Sequence, residues 1–267
     1  MNRGENIADA ALCGPWPSLY AGGMNYRHAF HAGNHADVLK HTVLLALIEA
    51  LQRKATPYFV LDTHAGRGRY DLDAVESDKT GEAVLGIDRL RRWAKNERNI
   101  APALKRYLEA VRPAVAEARP RYYPGSPLLV AQTLREGDRL AACELQAEEA
   151  AALDAVFARD ERVGTHTRDG YGAMKALLPP PEKRGLVLID PPYETQGAEF
   201  DTILTALREA LQRWPQGIFA IWYPIKHRRT LAPFFRKIPH LPIKQAWLAE
   251  LLVRPDDSPL RLNGSGM

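Results

Sequence analysis

Gly185-Leu-Val-Leu-Ile-Asp-Pro-Pro-Tyr193 is the stretch whose reading decides the fold. Leu186 to Ile189 form a short, wholly apolar run with β-branched members, as in a central strand buried on both faces. Asp190 follows at the carboxyl end, where open α/β sheets present ligands. Pro191 and Pro192 stop the strand, since neither can donate to a ladder, and their fixed φ sets the direction of the neighbouring carbonyls. Tyr193 adds a ring. A carboxylate, a rigid carbonyl and a flat aromatic suit a planar amino-substituted base, with two acceptors for its N–H bonds and a face to stack on. The plainer reading of these residues, a strand that closes in a Pro-Pro turn with a capping Asp, stands equally open.

The rest of the chain repeats the pattern. Pro57-Tyr-Phe-Val-Leu-Asp62 reads as a buried strand feeding the turn Thr63-His-Ala-Gly-Arg-Gly68. A strand running into a glycine turn begins a nucleotide-binding unit, although the strict G-x-G-x-x-G spacing is not met. Arg139 to Leu145 is a further strand with Glu144 near its end. Val163 onward is another, with Asp169 at its end and Gly170 permitting close approach of a ligand. Gly217–Tyr223 and Gln245–Val253 complete the strand set, and helices are predicted over 128–135, 148–159 and 199–212. Carboxylates at or near four strand ends, Asp62, Glu144, Asp169 and Asp190, describe a Rossmann-like, mostly parallel sheet that binds a ligand across its top.

Between the first strand and the one bearing Glu144 lies an insertion, about 71–120, expected to be helical. Its Arg89, Arg91, Arg92, Lys95 and Arg98 could follow a phosphate backbone or make a solvated face. Arg121-Tyr-Tyr-Pro-Gly-Ser-Pro127 closes it, with Ser126 as a helix cap, a ligand contact or both. Before the first strand, Asn34 or Asp37 can cap a helix whose apolar positions Val38, Leu39, Val43, Leu47, Ile48 and Leu51 follow the helical period. The histidines around it, His28, His31, His35 and His41, have no companion carboxylate or thiol pattern, so no metal is expected.

Composition is that of an ordinary globular protein: 46% hydrophobic, 25% charged, formal net charge +4 over 267 residues. The longest apolar run, Val43 to Ile48, is far short of the roughly 20 residues of a membrane span. Two cysteines build no disulfide framework, which fits a reducing cytoplasm. Residues 1–23 are expected to be a disordered extension, with the domain running over 24–267.

At this point the chain resembles a class I S-adenosylmethionine-dependent methyltransferase, and DPPY resembles the signature of those acting on exocyclic amines. The segments YRHAFHAGNHADVLKH (26–41), LDTHAGRGRY (61–70), RYYPGSP (121–127) and LIDPPYE (188–194) are similar to the RlmJ family, 23S ribosomal RNA adenine-N6 methyltransferases. That resemblance implies S-adenosylmethionine as cofactor, held by His41, His64, Ser126, Glu144 on the ribose, Asp169 with Gly170 at the cofactor's adenine edge, and Asp190. It implies Asp190 as the catalytic residue and Tyr26, Pro191, Pro192 and Tyr193 as substrate contacts, with Tyr193 stacking on an extruded adenine. The implied partner is 23S ribosomal RNA before full ribosome assembly; a cytoplasmic monomer is expected, with no membrane association. A DNA adenine-N6 methyltransferase and a non-catalytic nucleic-acid-binding protein are the alternatives. The family pattern also places an antiparallel strand between the last two strands, and residues beyond Met267 are expected to supply it, leaving the last strand truncated here.

Overall fold

The computed structural model describes residues 31–73, 82–112, 122–193, 195–259 and 262–267. The extension 1–23, Tyr26 and parts of the insertion lie outside them. Five strands form the central sheet: β1 (Phe59–Asp62), β4 (Arg139–Glu144), β5 (Val163–Thr167), β6 (Gly185–Ile189) and β7 (Ile218–Ile221). All neighbours are parallel, in the order β5-β4-β1-β6-β7. The chain builds outward from β1 on one side, then crosses to β6 on the other. The carboxyl ends of β1 and β6 therefore flank the switch point where such sheets hold ligands.

Alternation along each strand divides the core in two. Leu61, Ala141, Val187 and Ile189 join one cluster with Phe200, Ile203 and Leu207 of α8 (Gln196–Arg213). Val60, Leu140, Leu186 and Leu188 join the other, with Leu44 and Ile48 of α1 (His35–Gln52) and Leu153 of α6 (Ala147–Phe157). The apolar period expected for α1 is corrected in one respect. Its inward face carries Asp37, Lys40 and His41 as well as Leu44, Leu45, Ile48 and Leu51, whereas Val38, Leu39, Val43 and Leu47 are only half-buried.

The insertion is helical where described, with α2 (Glu82–Leu85), α3 (Ile87–Ala94) and α4 (Pro102–Ala110). It hangs from an antiparallel ribbon, unforeseen in the sequence, of β2 (Arg69–Asp71) and β3 (Tyr122–Pro124). The helix after it, α5 (Ser126–Ala131), starts two residues earlier than expected. Ser126 is not its cap, because the Ser126 hydroxyl donates to Asp62 Oδ2 at 2.6 Å. The stretch 217–223 is split: β7 stays in the main sheet, and β8 (Tyr223–Ile225) enters a second sheet.

That second sheet has the order β8-β10-β9, with β9 (Glu250–Leu252) and β10 (Gly264–Gly266). Both pairings of β10 are antiparallel. The strand expected from residues past Met267 is thus formed by the GSG of the sequence itself. Among the described residues no helix is long and apolar enough to cross a membrane.

Candidate active site

Strand ends of the central sheet open onto a cavity of about 230 Å³, whose walls include Lys40, His64, Glu144, Asp169, Tyr171 and Asp190. At one end stands Asp190, one residue past β6. Its Oδ2 accepts a 2.5 Å bond from Lys40 Nζ, and Lys40 also reaches Asp37 Oδ1 at 2.9 Å. Lys40 comes from the inward face of α1. Burial works against its charge, but the Asp190 and Asp37 carboxylates outweigh burial and hold its pKa well above the lysine range. The ammonium lies 5.8 Å from the Trp222 ring centroid.

Toward the other end, Glu144 accepts the Gly66 N–H at 2.9 Å on one oxygen and the Gln146 N–H at 2.8 Å on the other. The glycine turn is thereby fixed to the end of β4. Asp169 begins α7 (Gly170–Leu177), its Oδ2 accepting the Gly172 N–H at 2.6 Å. Gly170 lines the cavity, but its lack of a side chain is required by the protein's own backbone. A Cβ there would lie 2.1 Å from the Thr63 carbonyl oxygen. The Tyr171 hydroxyl donates to Glu199, and both line the cavity.

Between the two ends lies a desolvated polar layer. Burial pushes the Asp62 carboxyl up to about 7, against the Ser126 hydrogen bond. Burial also lowers His64 to about 4, so its ring is neutral at physiological pH despite the nearby Asp190 and Asp169. His41 is buried, its Nδ1 2.8 Å from the Tyr123 hydroxyl, which lies 3.0 Å from that of Tyr107. This chain of polar groups links the insertion helix α4 to the cavity wall.

His41, His64, Ser126, Glu144, Asp169, Gly170 and Asp190 thus all line one cavity. Of the residues expected on the substrate side, Pro192 lines it, while Pro191 is buried behind. Tyr193 departs from expectation. It is 3% exposed, with its ring edge-on to Phe200 and Trp222, so it offers the cavity no free face. Its hydroxyl donates to the Trp222 carbonyl at 2.5 Å and its φ is +48°, an uncommon backbone conformation held by that packing. Tyr26 lies outside the described residues. Reading the sequence alone misses Lys40, Asp37, Tyr107 and Tyr123. The signal for the first two is present in the chain: opposite charges three residues apart on a helix face that also carries Leu44 and Ile48.

The donor set suits S-adenosylmethionine. Glu144 retains lone pairs for a ribose diol, carboxylates and a neutral His64 surround the middle without repelling a sulfonium, and Leu145 and Tyr171 give apolar surface beside Asp169. Among the described residues no group of three or more His, Cys, Asp or Glu could hold a metal ion.

A family model described as "Ribosomal RNA large subunit methyltransferase D, RlmJ" matches residues 55–267. The chain is 39% identical over 244 residues to "Ribosomal RNA large subunit methyltransferase J" of Escherichia coli (strain K12), spanning 91% of this chain and 85% of that protein. The protein of the same name from Haemophilus influenzae is 41% identical over 245 residues, with the same coverages. A crystal structure of a Legionella pneumophila protein superimposes with a TM-score of 0.77 at 33% identity, over 88% of this chain and 85% of that one.

Proposed function

The chain belongs to the RlmJ family of ribosomal RNA large-subunit methyltransferases, and on that premise we propose that it methylates N6 of one adenine in 23S ribosomal RNA. The observation that carries this reading is the Asp190 carboxylate at the end of β6, facing the cavity with one oxygen fixed by Lys40. S-adenosylmethionine, when bound, supplies an electrophilic methyl group. Glu144 holds its ribose hydroxyls, and Asp169 with Gly170 the edge of its adenine. His41, His64 and Ser126 line the remainder, where a neutral His64 leaves a cationic centre unopposed.

On the substrate side, the amine of adenine is a poor nucleophile because its lone pair is delocalised into the ring. Lys40 occupies Oδ2 of Asp190, leaving the other oxygen to accept one N–H of the amine. A carbonyl on the Pro191 side of the loop, its direction set by the proline ring, would accept the second, and Pro192 meets the base at the lip. Two such acceptors would favour a pyramidal nitrogen, and displacement needs it held in line at roughly 3–3.5 Å from the methyl carbon. Formation of the N–C bond would break the methyl–sulfur bond and release the cofactor as a neutral thioether, and the alkylated nitrogen would carry the positive charge that makes its proton strongly acidic. The Asp190 oxygen left free by Lys40 is placed to take that proton, directly or through water. Tyr193 supports the loop from beneath rather than stacking on the base, and Tyr26 contributes from the RNA side.

The amine must reach Asp190 at the carboxyl end of β6, so the adenine must leave its stack, at a cost of a few kcal/mol. A base is extruded most cheaply from RNA that is not fully paired, which fits 23S RNA before full assembly as the substrate. A cytoplasmic monomer with residues 24–267 as one methyltransferase domain is part of the same proposal. The test is transfer of labelled methyl from S-adenosylmethionine to 23S RNA taken from cells lacking the gene, beside a DNA strand of matched sequence. Nucleoside mass spectrometry should find N6-methyladenosine in the RNA alone. Label in the DNA, or at another atom, would overturn the reading.

A further inference from the structure

The outward face of α3 (Ile87–Ala94) has no role in the site described above. The helix turns Ile87 and Leu90 onto a core shared with Leu45, Tyr107 and Tyr123, and Arg91 reaches inward to the Val111 carbonyl at 3.4 Å. On the opposite side Arg89, Arg92 and Trp93 stand at the three- and four-residue spacing that brings side chains together. Trp93 is 46% exposed, and Val84 and Leu85 just before the helix are 47% and 62% exposed. Among the described residues Arg92 touches only the Val84 carbonyl, at 3.3 Å, and Arg89 has no ion pair. Lys95 and Arg98 continue the positive charge beyond the helix. A charged face maintained for solubility has no use for an uncovered indole; cations beside an open ring fit a polyanion that carries flat bases.

This face is fixed in relation to the reacting groups. Gly86 packs so tightly that a Cβ would come within 2.1 Å of the Gly33 carbonyl oxygen, and the same oxygen accepts the Ile87 N–H at 2.9 Å. Glu82 accepts from Asn34 Nδ2 at 2.8 Å and lies 3.0 Å from His31 Nδ1. The insertion is thus clamped to the residues that lead into α1, and Lys40 lies six residues beyond Asn34, roughly 9 Å at helical rise.

We propose that the outward face of α3 grips the RNA strand flanking the target nucleotide, with Arg89 and Arg92 on backbone phosphates and Trp93 as the platform for an unpaired base. The proposal rests on the reading of the chain as a ribosomal RNA methyltransferase, and it excludes Arg91, whose guanidinium is used inside the insertion.

The test is equilibrium binding of the full chain to an unmodified 23S RNA transcript across a salt series, with methyl transfer to the same RNA measured in parallel. Trp93→Ala should weaken RNA binding about ten-fold. Arg89→Gln with Arg92→Gln should lower the logarithmic salt slope by about 0.7 for each phosphate left without its arginine. Both should raise KM for RNA while S-adenosylmethionine affinity and kcat at saturating RNA stay put. The control pair Arg159→Gln with Arg208→Gln removes the same charge from exposed positions elsewhere and should change little. Wild-type affinity and slope in the α3 variants, or an equal loss in the control pair, would overturn the arm while leaving methyl transfer intact. If the variants lose RNA affinity but the wild-type chain transfers no methyl group, the arm stands and the enzymatic reading falls.

Discussion

Asp62 ends β1 and Asp190 follows β6, two strands paired in parallel from Phe59 opposite Gly185 to Asp62 opposite Leu188. The residue type is the same and the topological place nearly so, yet the surroundings diverge. Asp62 is fully buried, meets among the described residues the Ser126 hydroxyl and a long contact from the His64 N–H, and is pushed up to about 7 by burial. Asp190 keeps 11% of its side chain exposed and has the Lys40 ammonium against one oxygen. One carboxyl is a structural group that tends to hold its proton; the other faces the cavity with a fixed cation behind it. Position at a strand end nominates a residue, and the helix packed above the sheet decides its role.

The largest expected effect comes from neutralising the group that faces the cavity. Asp190→Asn should lower kcat by about 10²–10⁴, the range for removing a positioned general base, with S-adenosylmethionine affinity little changed. Single-turnover methyl transfer reads this directly. Activity within ten-fold of wild type would collapse the distinction between the two aspartates. Next in size is Lys40→Met, which leaves Asp190 and Asp37 facing each other without their shared cation. Breaking a buried ion pair from one side costs about 3–5 kcal/mol, so denaturant midpoints should fall accordingly. A variant as stable as wild type would mean that Asp190 is held by something other than Lys40.

The same contrast explains what could be read in the sequence. Strands β1, β4 and β6 are legible because each is a buried run of apolar residues ending in an acid, and a central parallel strand leaves few other ways to write itself. The line of Glu144, Asp169 and Asp190 along one sheet edge follows from that rhythm. Lys40 is not legible as a partner of Asp190 because the two are 150 residues apart and meet only through packing. The apolar period of its helix passes over a buried face in which three positions are polar. The ribbon of β2 and β3 is hidden for a related reason: Arg69-Tyr-Asp71 and Tyr122-Tyr-Pro124 are too short for a pattern and are paired across the whole insertion. Tyr193 fails differently. The DPPY motif identifies the loop, but whether its ring faces the cavity depends on Phe200 and Trp222, which belong to later parts of the chain.

The smallest effect on catalysis is expected at the other aspartate, and its signature lies in pH. Asp62→Asn should leave methyl transfer within a few-fold of wild type, since Asp62 is enclosed and absent from the cavity wall. In the folded protein Asp62 keeps its proton up to about 7, whereas the unfolded chain releases it near 3.8. The native state therefore binds the extra proton across that window, and stability drains as pH rises through it. His64 acts in the opposite sense. Its pKa falls from 6.5 to about 4 on folding, so the unfolded chain binds the extra proton below 6.5 and stability is lost as pH falls. Between about 4 and 6.5 the two slopes oppose each other in the wild type. Replacing Asp62 by Asn removes one of them, so the melting temperature of the variant relative to wild type should climb from about pH 4 to 7 and then level off. Melts in matched buffers across and just beyond that window test this. A difference that stays flat would mean that Asp62 ionises as an ordinary carboxylate, and the two strand ends would then differ by Lys40 alone.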